Sequence, residues 1–214
     1  MGYVSLLEGP LVLTLGPGDP LPTAPCSVTI FGSPGQGVAV HVSSLALAST
    51  LPTPHCSSWL QLEAEHQLET GAWARTRTFS DRICGQVRRR TNFGVREPWS
   101  PRNHFFNETN THEITVKFKA GNQDRDSLQF TLVVTPLVLG CSGEKAGFHG
   151  ELFPCGGGGE GGYCVDSGLV CDGRVNCVLE GREGWDEDNT FCRKRGGGGR
   201  GAGPEQGTVL ALEE

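Results

Sequence analysis

The sequence predicts an all-β chain in two parts, an antiparallel β-sandwich followed by a small disulfide-rich module with little regular secondary structure. Three observations carry that reading. Apolar side chains alternate with polar ones in short runs between residues 26 and 135. Six of the nine cysteines fall between Cys141 and Cys192. No stretch shows helical periodicity of useful length.

The runs come in order. Ser27–Phe31 is short and apolar and ends on the turn signal Gly-Ser-Pro-Gly at 32–35. Val38, Val40 and Val42 alternate with Ala39 and His41, and Leu45 and Leu47 continue the rhythm after one slip. Trp59–Glu63 alternates again. Ile114, Val116 and Phe118 are interleaved with Thr115, Lys117 and Lys119, and Leu128, Phe130, Leu132 and Val134 follow the same period of two. Short strands joined by polar turns form a sandwich more readily than any helical layer.

From Cys141 to Cys192 the periodicity stops, and Phe148, Leu152, Phe153, Tyr163, Val165, Leu169, Val170 and Trp185 are all that a core could draw on. So small a segment needs covalent staples. The gaps between successive cysteines are thirteen, eight, six, five and fourteen residues, with no C-x2-C pair of the kind that marks zinc sites. Disulfides, and therefore an oxidising compartment, are the expectation. Glycine runs at 156–159 and 196–199 cannot pack a core, and the stretch after Cys192 reads as a Gly-rich tail or linker, 193–214.

Charge separates the two parts. Residues 1–140 carry eleven acidic and eleven basic side chains, whereas residues 141–192 carry ten acidic against three basic, a net of −7. Such a segment repels itself unless a cation or a basic partner offsets the charge. The opening, MGYVSLLEGPLVLTLG, lacks a basic region and interrupts its apolar stretch with Glu8 and Pro10, so it does not read as a signal peptide. The longest apolar run, Phe130–Leu139, contains Pro136 and is half of the about twenty residues a membrane span requires. Secreted chemistry without targeting ends leads to the expectation of a truncated chain, with 1–25 the truncated or atypical start of the first domain and membrane attachment possible through a missing segment alone.

The run Tyr163-Cys164-Val165, Leu169-Val170-Cys171-Asp172-Gly173-Arg174-Val175-Asn176-Cys177, Gly184-Trp185-Asp186-Glu187 and Cys192 resembles the LDL-receptor class A repeat. The resemblance covers 141–192. It implies pairing of first with third, second with fifth and fourth with sixth cysteine, hence Cys141–Cys164, Cys155–Cys177 and Cys171–Cys192. It also implies one calcium ion, held by side chains of Asp172, Asn176, Asp186 and Glu187 and by carbonyls of Leu169 and Arg174. Calcium takes six to eight hard oxygens, which short stapled loops supply without helix or sheet. Asn176 departs from the usual Asp and removes one negative charge. Trp185, by the same resemblance, is an exposed aromatic that packs along a ligand's lysine stem.

Residues 26–136 resemble a CUB domain through Cys26-Ser-Val-Thr-Ile30, Gly37-Val38, Cys56, Leu60-Gln61-Leu62, Cys84-Gly85 and the closing Leu128-Gln129-Phe130-Thr-Leu. The family's second disulfide would be Cys56–Cys84. Its first needs a cysteine upstream of Cys26, and none precedes it, which accounts for the odd total of nine. The calcium position of many CUB domains is here Trp59, so that site is read as lost.

The resemblances imply an extracellular binding module, secreted or part of a receptor ectodomain, that recognises protein ligands carrying basic residues. The competing expectation is a non-catalytic arm of a secreted modular protease. Arg75, Arg77, Arg82, Arg88, Arg89 and Arg90 cluster around Cys84 and offer a place for a sulfated glycan, and Asn107-Glu108-Thr109 is a glycosylation acceptor. Nucleic acid is not an expected partner. The six histidines form no H-E-x-x-H, and no Gly-x-Ser-x-Gly or P-loop occurs, so no enzyme is expected.

Overall fold

A computed structural model describes residues 2–6, 9–17, 19, 24–32, 36–47, 56–67, 75–80, 82–87, 111–121, 128–139, 141, 151–155, 163–177, 184–195 and 208–211. Its strands are β1 (Gly2–Leu6), β2 (Leu11–Leu15), β3 (Cys26–Gly32), β4 (Gly37–Leu47), β5 (Trp59–Gln67) and β6 (Arg75–Phe79). They continue as β7 (Gly85–Val87), β8 (Thr111–Lys119), β9 (Gln129–Leu139), β10 (Leu152–Cys155), β11 (Tyr163–Asp166) and β12 (Thr208–Ala211). Among the described residues a short α-helix, α1, covers Asn189–Arg195.

One sheet runs β1-β3-β8-β5-β6 and the other β10-β11-β9-β2-β12, with β4 joined to β9 and β7. Pairing is antiparallel throughout except for β1 with β3 and β12 with β2. The alternating residues face inward from both sheets. Ile30, Ile114, Val116, Phe118, Leu60 and Leu62 meet Val38, Val40, Leu45, Phe130, Leu132 and Val134 in one core. Phe118 and Phe130 span the gap between sheets with ring centroids 5.3 Å apart. The slip between Val42 and Leu45 is a β-bulge, where the register of β4 against β9 shifts between Val42 and Ser44. It returns Leu45 and Leu47 to the core face.

Two buried serine hydroxyls inside the sandwich are paired with backbone. Ser80 Oγ accepts from Leu62 N at 2.9 Å, and Ser58 Oγ accepts from Gly121 N at 2.8 Å. Gly121 lies so close to Ser57 that an added Cβ would stand 2.9 Å from its Cβ. Lys117 forms an ion pair with the largely buried Glu63, and a disulfide joins Cys56 to Cys84.

Both terminal segments contribute strands. Residues 1–25, read as a truncated or atypical start, supply β1 and β2, and Leu11, Leu13 and Leu15 of β2 lie in the core. The composition of 193–214 indicates a linker, yet α1 extends to Arg195 and Thr208–Ala211 forms a strand parallel to β2. Four residues of β-prone sequence suffice once an edge with unpaired backbone groups is offered.

The sheet continues across the boundary at 136–141. Strand β9 continues beyond Pro136 to Leu139, and Val138 and Leu139 pair with Cys164 and Tyr163 of β11. A second core gathers Tyr163, Val165, Cys155 and Cys177 around Ala39 and Leu137 of the sandwich. The outer face of β4 and β9 is thereby covered, and the cysteine-rich module completes its small core with residues it does not itself contain.

Candidate metal centre

Three disulfides shape the module: Cys141–Cys164, Cys155–Cys177 and Cys171–Cys192. They fix the β10–β11 hairpin, the loop 171–177 and the turn 185–187 against one another. Cys26 is unbridged and half-buried, and burial pushes its thiol up from the ordinary value.

Between Cys171 and Cys177 the chain turns sharply. Cys171 has φ 65° and Gly173 φ 84°, both in the left-handed region. Asp172 Oδ1 accepts from Arg174 N at 2.8 Å and so closes an Asx turn. On the facing segment, Trp185–Glu187 forms one 3-10 turn. Cys171 N donates to Asp186 O at 3.0 Å and joins the two segments.

The structure brings all six predicted ligating residues to this place. Asp186 is wholly buried, and its carboxylate accepts from Asn176 N at 2.8 Å and from Cys177 N at 3.0 Å. Glu187 Oε2 accepts from Gly173 N at 3.0 Å, whereas Oε1 is buried with no hydrogen-bond partner among the described residues. Asn176 is wholly buried. Its Nδ2 lies 3.2 Å from Leu169 O, 3.3 Å from Asp172 Oδ1 and 3.2 Å from Arg174 O.

Burial raises the pKa of all three carboxyls. Asp172 and Asp186 are pushed up by desolvation, with backbone N–H donors pulling the other way. Glu187 rises from 4.5 to about 7, first through desolvation and then through the neighbouring charges of Asp172 and Asp186. Three anionic groups in one place and an orphaned oxygen are the chemistry that a hard divalent cation relieves. The donor types therefore fit calcium, with Asp172, Asn176, Asp186, Glu187 and the carbonyls of Leu169 and Arg174 to hold it. Among the described residues, no three Cys, His, Asp or Glu side chains form a metal-binding group by themselves. Asp186 and Glu187 accept from backbone N–H groups, and Asn176 presents nitrogen to the other oxygens.

Of the remaining candidates, Trp185 is 45% exposed at the start of the 3-10 turn. Arg82 stands 4.7 Å above the ring of Trp59, which is buried. Arg75 and Arg77 lie on β6. Arg88, Arg89, Arg90 and Asn107 lie outside the described residues.

Sequence reasoning missed Thr135, which belongs to the sandwich. It is buried on the outer face of β9, and its Oγ1 donates to Asn176 Oδ1 at 2.9 Å. The signal available was that Val133 and Leu137 share its face, making β9 apolar on both sides, as a strand covered twice must be. No protein-family model matches the chain, and no curated protein matches it.

Proposed function

We propose that the chain is an extracellular binding fragment, a CUB-like sandwich joined to an LDL-receptor class A-like module that recognises basic protein ligands through a calcium-ordered acidic surface. Four disulfides support an oxidising compartment, and among the described residues no helix is long and apolar enough to cross a membrane. One observation carries the reading. Within a frame of three disulfides, Asp172, Asp186 and Glu187 converge beside the exposed Trp185. Calcium, when bound, would supply the positive charge that offsets the mutual repulsion of these carboxylates and keeps them together. The acidic residues then steer a lysine to the surface, and the Trp185 ring offers a face to its aliphatic stem.

The test is binding of the full chain to an immobilised lysine-rich peptide, with calcium at about 1 mM, the range of extracellular modules, and again in EDTA. Binding is expected in calcium, falling as salt is raised. Equal binding in EDTA overturns the reading.

A further inference from the structure

At the centre of the oxygens contributed by Leu169, Asp172 and Arg174 lies a nitrogen. Asn176 Nδ2 has two hydrogens and three acceptors within 3.2, 3.3 and 3.2 Å, so its N–H groups are shared among them. The other end of the amide points away, where Oδ1 accepts from Thr135 Oγ1 at 2.9 Å. Its orientation follows from its partners, since the reverse would set an oxygen against three oxygens.

We propose that the Asn176 amide is a built-in plug, its NH2 group standing in for the cation in the metal-free chain, and that the amide turns over when a cation is bound. Oδ1 then replaces Nδ2 among the oxygens, and Nδ2 donates to Thr135 Oγ1. The proposal rests on the calcium reading above and adds what this chain does differently. A carboxamide is nearly symmetric in shape, so turnover needs little space. A hydroxyl donates or accepts, so Thr135 satisfies either orientation. An aspartate has no N–H to give, and without a cation it would place a charged oxygen against three others. Hence Asn176 keeps the cage closed without metal, cation binding has to break these hydrogen bonds, and the residue that holds the amide from behind belongs to the sandwich.

The experiment is calorimetric titration of the full chain with calcium, wild type against Asn176→Asp, while the side-chain NH2 signals of the 15N-asparagine-labelled wild type are followed by NMR. Asn176→Asp should bind calcium about tenfold more tightly or better, since it adds a charged ligand and removes the plug. The Asn176 NH2 pair should exchange slowly with solvent in EDTA and shift as calcium is added. If both proteins bind with equal affinity, the plug is overturned and the calcium reading stands. If the variant binds and the wild type does not, the plug stands and native calcium binding fails. If neither binds, both fail. Should Asn176→Asp misfold even in calcium, the wild-type spectrum decides. A slowly exchanging NH2 pair in EDTA upholds the plug, and a rapidly exchanging one overturns it.

Discussion

Asp186 and Glu187 are neighbours in sequence and hold different positions in the site. Asp186 is wholly buried and accepts two backbone N–H groups, so it holds the loop whether or not a cation is present. Asp186→Asn turns an acceptor into a donor against one of those N–H groups. It should cost about 1–3 kcal/mol in EDTA as well as in calcium, read by chemical denaturation. Glu187→Gln removes a charge that burial and two carboxylates already disfavour. It should leave metal-free stability at pH 8 unchanged or raised while weakening calcium binding. The same pKa sets a pH dependence. Folded Glu187 keeps its proton up to about pH 7, whereas the unfolded chain releases it near 4.5. Between those values the native state binds more protons, so metal-free stability is greatest below 4.5 and falls as pH rises toward 7. Asp172 and Asp186 act in the same direction. Denaturation in EDTA across that range should show the decline, and stability rising from pH 5 to 7 would contradict the assignment.

The elements show what was legible in the sequence and why. Period-two alternation located β4, β5, β8 and β9, because each has one face on the sandwich core. The slip after Val42 was visible, and its cause is a bulge, since a missed beat in a buried strand has to be absorbed in its register. Strand β2 was not recognised. Leu11, Val12, Leu13 and Leu15 are all buried, so in LVLTL Thr14 alone breaks an apolar run and no alternation marks the strand. Within the candidate site, cysteine order and the Cys-Asp-Gly and Trp-Asp-Glu runs drew attention to two loops that the fold brings side by side. Spacing could not show which end of Asn176 faces the oxygens. Loop 171–177 gives a test at this scale. Gly173 has φ 84° with nothing within 4 Å of where a Cβ would stand, so Gly173→Ala meets no clash and is opposed by backbone conformation alone. It should destabilise the chain by about 1 kcal/mol, measured by the denaturation midpoint. A larger loss would mean that the N–H donated to Glu187 Oε2 had moved as well.

On the scale of the whole molecule, the two parts share more than a linker. Strand β9 runs through both, pairing with β4 and β2 in the sandwich and with β11 in the module. Leu137, 2% exposed, packs in the module's core although it belongs to a sandwich strand, and Thr135 reaches the candidate site from the same face. A module of six cysteines and few apolar residues gains from that arrangement a wall it could not build alone. The consequence is cooperative unfolding. Amide exchange in Tyr163–Asp166 should occur with the same free energy as in the central residues of β9, where separable domains would show two values. Leu137→Ala removes buried contacts on the module side and should cost about 2–5 kcal/mol, lowering protection in both parts together. If protection falls in β11 alone while β9 and β4 keep theirs, the shared core does not couple the two parts. The candidate site would then be independent of the sandwich that carries it.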